Sequence, residues 1–100
     1  MQEELLRTFN ILSRLNDSCR EKVISQEELD EQDSNLDDFR KMVIELRDIL
    51  SKLENSNTQS VDETVEILLQ LHLKFSDYIW HTDQIHELLK KMAGNYRDSY

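Results

Sequence analysis

Apolar residues recur along this chain at intervals of three and four, the spacing that gathers side chains on one face of an α-helix. No segment of useful length alternates apolar and polar positions, so strands are not expected. A first helix is predicted over about residues 3–24. There Leu5, Phe9, Leu12, Leu15, Cys19 and Val23 fall within an arc of about 120° at 100° per residue, while Arg7, Arg14, Asp17 and Glu21 lie outside it. Ser25 then reads as an N-cap. Glu28 stands three residues further on, which makes a capping box, and Ile24 and Leu29 are placed for a hydrophobic staple. Ser34 and Asp37 form a weaker box. A second helix is therefore predicted over 26–54, with 35 as an alternative start. With neither Gly nor Pro in the stretch, one continuous helix through the joint stays open. Leu36, Phe39, Val43, Leu46, Leu50 and Leu53 repeat three, four, three, four, three, a heptad seam that Leu29 extends toward the N-terminus.

Asn55-Ser56-Asn57-Thr58-Gln59-Ser60 has turn chemistry throughout and reads as a loop. Ser60 with Glu63 is another capping box and opens a third helix over 61–93. Lys90 and Lys91 suit its last turn, and Gly94-Asn95 its C-cap. This helix carries two apolar stripes. The main one holds Leu68, Leu71, Phe75, Tyr78, Ile85, Leu89 and Met92 and is expected to face the other helices. The second holds Leu69, Leu73 and Trp80, about 170° from the centre of the first. A helix apolar on opposite sides needs cover on both. Either the other helices sandwich it, or Leu69, Leu73 and Trp80 await a partner, with Trp80 as an aromatic anchor.

Composition narrows the function classes. Apolar residues make up 38% and charged residues 33%, too apolar for a disordered tail and too polar for a membrane protein. No apolar run approaches the roughly 20 residues of a membrane span, and the acidic start does not read as a signal or transit peptide. The net charge is −9 with scattered cations, which disfavours direct binding to nucleic acid or anionic membrane. Glu27, Glu28, Asp30 and Glu31 begin an acidic run without an intervening Lys or Arg. It reads either as a solvated helix start or as a docking surface for a basic partner segment. A lone Cys19 fits a reducing compartment, so an intracellular location, cytoplasmic or nuclear, is expected. The triplet Asn16-Asp17-Ser18 is then a chance match to a glycosylation acceptor.

Catalytic and metal chemistry find little support. Asp83 and His86 share a helix face, but a di-iron bundle needs Glu-x-x-His on two helices. A calcium loop starting at Asp33 would need Gly where Asp38 stands and Glu where Ile44 stands. Cys19 sits on an apolar stripe, where a thiol acts as a small hydrophobe. A single Gly excludes Gly-rich phosphate loops. In length, helix pattern and acidity the chain resembles small helical subunits of Mediator, kinetochore and tethering complexes, and the three-helix N-terminal domains of membrane-fusion syntaxins. That likeness is architectural and rests on no particular residues. The expectation is an all-α fold of three long amphipathic helices spanning 1–100, an antiparallel bundle or coiled-coil hairpin. It would serve as a non-catalytic interaction module with no cofactor, metal or small-molecule substrate, whose partner is a helical protein or a second copy. A self-contained regulatory bundle that sequesters a peptide is the alternative, and a helical-bundle metalloprotein a remote one.

Overall fold

In the computed structural model, residues 2–55 and 60–100 are described, and they form an all-α fold of three helices: α1 (Gln2–Ser18), α2 (Gln26–Glu54) and α3 (Val61–Ser99). No strand occurs among them. Most of the Asn55–Ser60 loop, residues 56–59, lies outside the described residues. Both serine caps are used. Ser25 and Ser60 are extended, and their hydroxyls accept from the amides of Glu28 and Glu63 at 3.2 and 3.1 Å. Ser34 sits inside α2 and starts nothing. The Glu28 carboxylate is turned toward α3, where it accepts hydrogen bonds from Lys91 Nζ at 2.9 and 3.0 Å.

The first joint differs from the sequence expectation. α1 stops at Ser18, short of the predicted 24, and residues 19–25 form a turn. Asn16 is the cause. Its side chain is 2% exposed and grips the backbone of Ile24 twice: Ile24 N–H donates to Oδ1 at 2.9 Å, and Nδ2 donates to Ile24 O at 2.8 Å. Two buried backbone groups that have left the helix are thereby satisfied. The Lys22 ammonium folds back onto the carbonyls of Asn16, Asp17 and Cys19 at 3.2, 2.8 and 3.1 Å. It supplies the cation that the last turn of α1 lacks. The core seam of α1 accordingly runs through Asn16, while Leu15, predicted to be buried, is exposed. The buried Asn16 amide also leaves no room for a glycan.

The same turn extends α3. The amides of Arg20 and Glu21 donate to Ser99 O at 2.8 and 3.3 Å, and Tyr96 packs against the core. The helix therefore continues past the predicted end at 93 and through Gly94.

Helix lengths set the shape. α1, α2 and α3 contain 17, 29 and 39 residues, and at 1.5 Å per residue α1 is about 25 Å long against about 58 Å for α3. The molecule measures 60 × 19 × 17 Å. The long axis is thus α3 alone, and α1 lies beside less than half of it. The contacts Glu28–Lys91, Phe39–Tyr78 and Glu45–Lys74 set α2 and α3 in an antiparallel register. The C-termini of α1 and α3 meet at the joint, so these two helices run in parallel. The result is a three-helix base that continues into a two-helix arm.

Three outcomes are expected from chemical denaturation. Asn16→Ala should destabilise the fold by roughly 1–3 kcal/mol for each backbone group it orphans, whereas Leu15→Ala should cost less than about 1 kcal/mol because Leu15 faces solvent. Gly94 lies in exposed helix, and a Cβ added there meets nothing within 4 Å, so Gly94→Ala should stabilise by about 1 kcal/mol.

Candidate functional site

The face that α3 turns to α2 and α1 is Thr64, Ile67, Leu71, Lys74, Tyr78, His81, Ile85, Leu88 and Met92, an unbroken three-four repeat of buried or half-buried positions. The expected main stripe mixed two faces. Leu71, Tyr78, Ile85 and Met92 belong to this seam, but Leu68 and Phe75 are 50% and 47% exposed and Leu89 is exposed too. Two polar residues on the seam concealed it. Lys74 covers apolar surface with its stem and pairs its ammonium with Glu45 of α2. His81 is buried against the Phe39 ring, their centroids 5.3 Å apart, with Trp80 edge-on at 5.0 Å.

Leu69, Leu73 and Trp80 remain 55%, 62% and 48% exposed. Val61, Val65 and Ile79 are exposed alongside them. Together with Leu68 and Phe75, these side chains cover an arc of about 160° on the outer face of the arm. Nothing in the described chain covers that arc, because α1 is too short to reach it. The N-terminal half of α3 is therefore apolar on two faces, of which only the inner one is packed.

The arm also has a polar side. Glu45, Asp48 and Lys52 of α2 and Gln70 and Lys74 of α3 line a shallow groove of about 380 Å³ between the two helices, with Ile49 and Leu73 at its floor and edge. In the base, the open side between α2 and α3 is a cleft of about 590 Å³ lined by Glu28, Glu31, Gln32, Glu87, Lys90 and Lys91, among others. The acidic set picked out from the sequence is thus divided. Glu28 is tied to Lys91, Glu31 borders the cleft, and Glu27 and Asp30 face solvent. Asp30 accepts a hydrogen bond from Gln26 Nε2 at 2.8 Å.

Candidate chemistry elsewhere is sparse. Asp83, His86 and Glu87 bring possible ligand atoms within 4.8 Å of one another, but all three are exposed on one helical turn. The stretch 33–44 is helical throughout and cannot wrap a calcium ion. Cys19 is buried, with its thiol directed at Leu15 O at 3.3 Å. Among the described residues no helix is long and apolar enough to cross a membrane. No family model, curated protein or solved structure matches this chain.

Burial holds the His81 pKa below its ordinary value, against a weaker upward pull from Asp77 and Asp38. Its Nδ1 has no hydrogen-bond partner among the described residues. The folded protein keeps this imidazole neutral, while the unfolded chain takes up a proton near pH 6.5, about the free value. Below that pH the unfolded state binds more protons. Stability is therefore full above about pH 6.5 and is lost as the pH falls toward the lowered folded value. Urea midpoints measured at about pH 7.5 and about pH 5.5 should show this loss, and His81→Leu should remove it.

Proposed function

We propose that the chain is a non-catalytic protein–protein interaction module, a small helical subunit or adaptor domain of a larger intracellular assembly, which docks by helix-to-helix packing on the arm of α3. The observation that supports this reading is the exposed apolar arc. Its eight large side chains, Val61 to Trp80, each keep about half or more of their surface in water. At on the order of 100 Å² apiece they expose roughly 800 Å², above the roughly 300–600 Å² of the largest patch on a typical monomer. An uncovered arc of that size weakens the case for a self-contained bundle. The polar grooves beside it are open and shallow and offer a peptide little enclosure. Among the described residues a metalloprotein would have only the exposed trio Asp83, His86 and Glu87 to work with.

The mechanism is burial of the arm's Leu, Phe, Ile and Trp side chains, worth roughly 1.5–3 kcal/mol each when fully covered. The surplus negative charge selects a partner segment flanked by Lys or Arg. Glu27 and Asp30, exposed near the start of α2, extend that preference to the base.

The test pairs identification with energetics. Chains that co-purify with the tagged protein are identified by mass spectrometry, and the direct binder is titrated calorimetrically. Trp80→Ala should weaken association by about 2 kcal/mol or more. It should cost the isolated chain no more than about 1.5 kcal/mol, the worth of the edge-on contact with His81. Wild-type affinity in the variant would reject the arm as the docking face.

A further inference from the structure

The outer face of α3 carries acids as well as apolar surface. At 100° per residue, Asp62, Glu66, Leu69, Leu73, Asp77 and Trp80 fall within an arc of about 80°, spaced four, three, four, four and three apart. All six are exposed. Carboxylates and large apolar side chains therefore share one stripe, and no base interrupts it. From Val61 to Leu89 the helix has a single cation, Lys74. It lies about 100° round from the centre of the stripe, and its ammonium is taken by Glu45 of α2. Among the described residues, the carboxylates of Asp62, Glu66 and Asp77 enter no ion pair or hydrogen bond. Lys52 of α2, which borders the neighbouring polar groove, pairs with none of them there.

Where the stripe begins, Asp62, Glu63, Glu66 and Ile67 line a shallow hollow of about 360 Å³. Apolar surface rimmed by three carboxylates suits a Lys or Arg side chain, whose stem covers the one while its charge meets the other. At the far end the Trp80 ring stands edge-on to His81, which holds it against the helix one turn from Asp77. The backbone of α3 is hydrogen-bonded along its own axis, so the stripe offers an occupant no main-chain partners. An extended segment laid on it would bury amides and carbonyls unanswered, whereas a helix brings them already paired. A second copy of this chain, with a net charge of −9, would add to the repulsion.

We infer that the occupant of this stripe is a basic amphipathic helix of another protein, laid along α3 with its apolar side chains on Leu69, Leu73 and Trp80 and its Lys or Arg side chains on Glu66 and Asp77. The acids set the spacing it must carry. Glu66 and Asp77 stand eleven residues apart, three turns and about 16.5 Å of helix. The matching helix therefore has two cations eleven residues apart on one face, with apolar residues at three-four spacing between them. A further cation beyond its Glu66 end enters the hollow at Asp62. The inference rests on the arm being a docking face, as proposed above, and states the chemistry that this face takes.

The test uses the full chain and a defined probe, a synthetic Ala- and Gln-based helix of about 20 residues with Leu at three-four spacing between two Lys placed eleven residues apart. A twin peptide has Glu in place of Lys. Trp80 is the only Trp in the chain, so its emission reports cover of the stripe. The Lys peptide should bind saturably and shift that emission, and the Glu twin should not. Glu66→Gln with Asp77→Asn should weaken binding by about tenfold or more and flatten its salt dependence, with helical dichroism unchanged. Glu27→Gln with Asp30→Asn, which removes the same charge from the base, should leave binding as it was. Equal loss in the two double variants overturns the inference, because net charge alone would then attract the peptide. Equal binding of the Glu twin overturns it as well, as does a wild type that sediments as a dimer with Trp80 shielded from a soluble quencher, since a second copy would then hold the stripe. If the Lys peptide fails while Trp80→Ala still weakens the co-purified binder, the docking face stands and the basic helix falls.

Discussion

The Asn16 clamp on Ile24 governs the rest of the molecule. Its amide answers both backbone groups of a residue that is completely buried outside any helix, and without it the turn would carry unpaired polar groups into the core. By fixing where the chain reverses, it ends α1 at Ser18 and places Ser25 to cap α2. The turn it creates presents the amides of Arg20 and Glu21 to the last carbonyl of α3. One side chain thereby ties all three helices at a single end. The other end of α3 is left with one neighbour, and the apolar surface there follows from that asymmetry.

Much of this was legible in the sequence. The serine caps were visible because their chemistry is local, a hydroxyl and an amide three residues apart. The α2 seam was visible because Leu29, Leu36, Phe39, Val43 and Leu46 are apolar at almost every turn, though the core takes Ile49 in place of Leu50. The end of α1 was not visible. Nothing between Cys19 and Ile24 forbids helix, and the decisive residue, Asn16, acts through tertiary hydrogen bonds across eight residues of sequence. α3 was misread for a related reason. Its inner face contains Thr64, Lys74 and His81, which a hydrophobicity pattern discards, while its outer face supplies apolar residues nearby that complete a false stripe. The apolarity on two sides did show, and in Leu69, Leu73 and Trp80 it marked surface that the chain itself leaves open.

Polar residues at seam positions carry much of the specificity of the fold. Asn16, Gln32, Lys74 and His81 each replace an apolar residue at a place where the helices meet. A uniformly Leu-filled seam tolerates sliding by a heptad, because every layer is alike. Here a slide would strip Asn16 from Ile24, part Lys74 from Glu45, and move His81 off the Phe39 ring. Glu28 and Lys91 fix the same alignment at the base. The cost is visible at His81 and Gln32, whose buried nitrogens have no partner among the described residues.

α3 carries two faces on one uninterrupted helix, the inner seam that holds the fold together and the outer apolar arc from Val61 to Trp80. Because both are phased by the same backbone, its length cannot drift. An insertion or loss of one residue near position 82 would turn the arm by about 100° relative to the base, swinging the apolar arc into α2 and the inner seam into water. Only changes of a whole heptad preserve both faces. α3 is therefore a part whose gauge is set in steps of seven residues, about 10 Å of helix at a time.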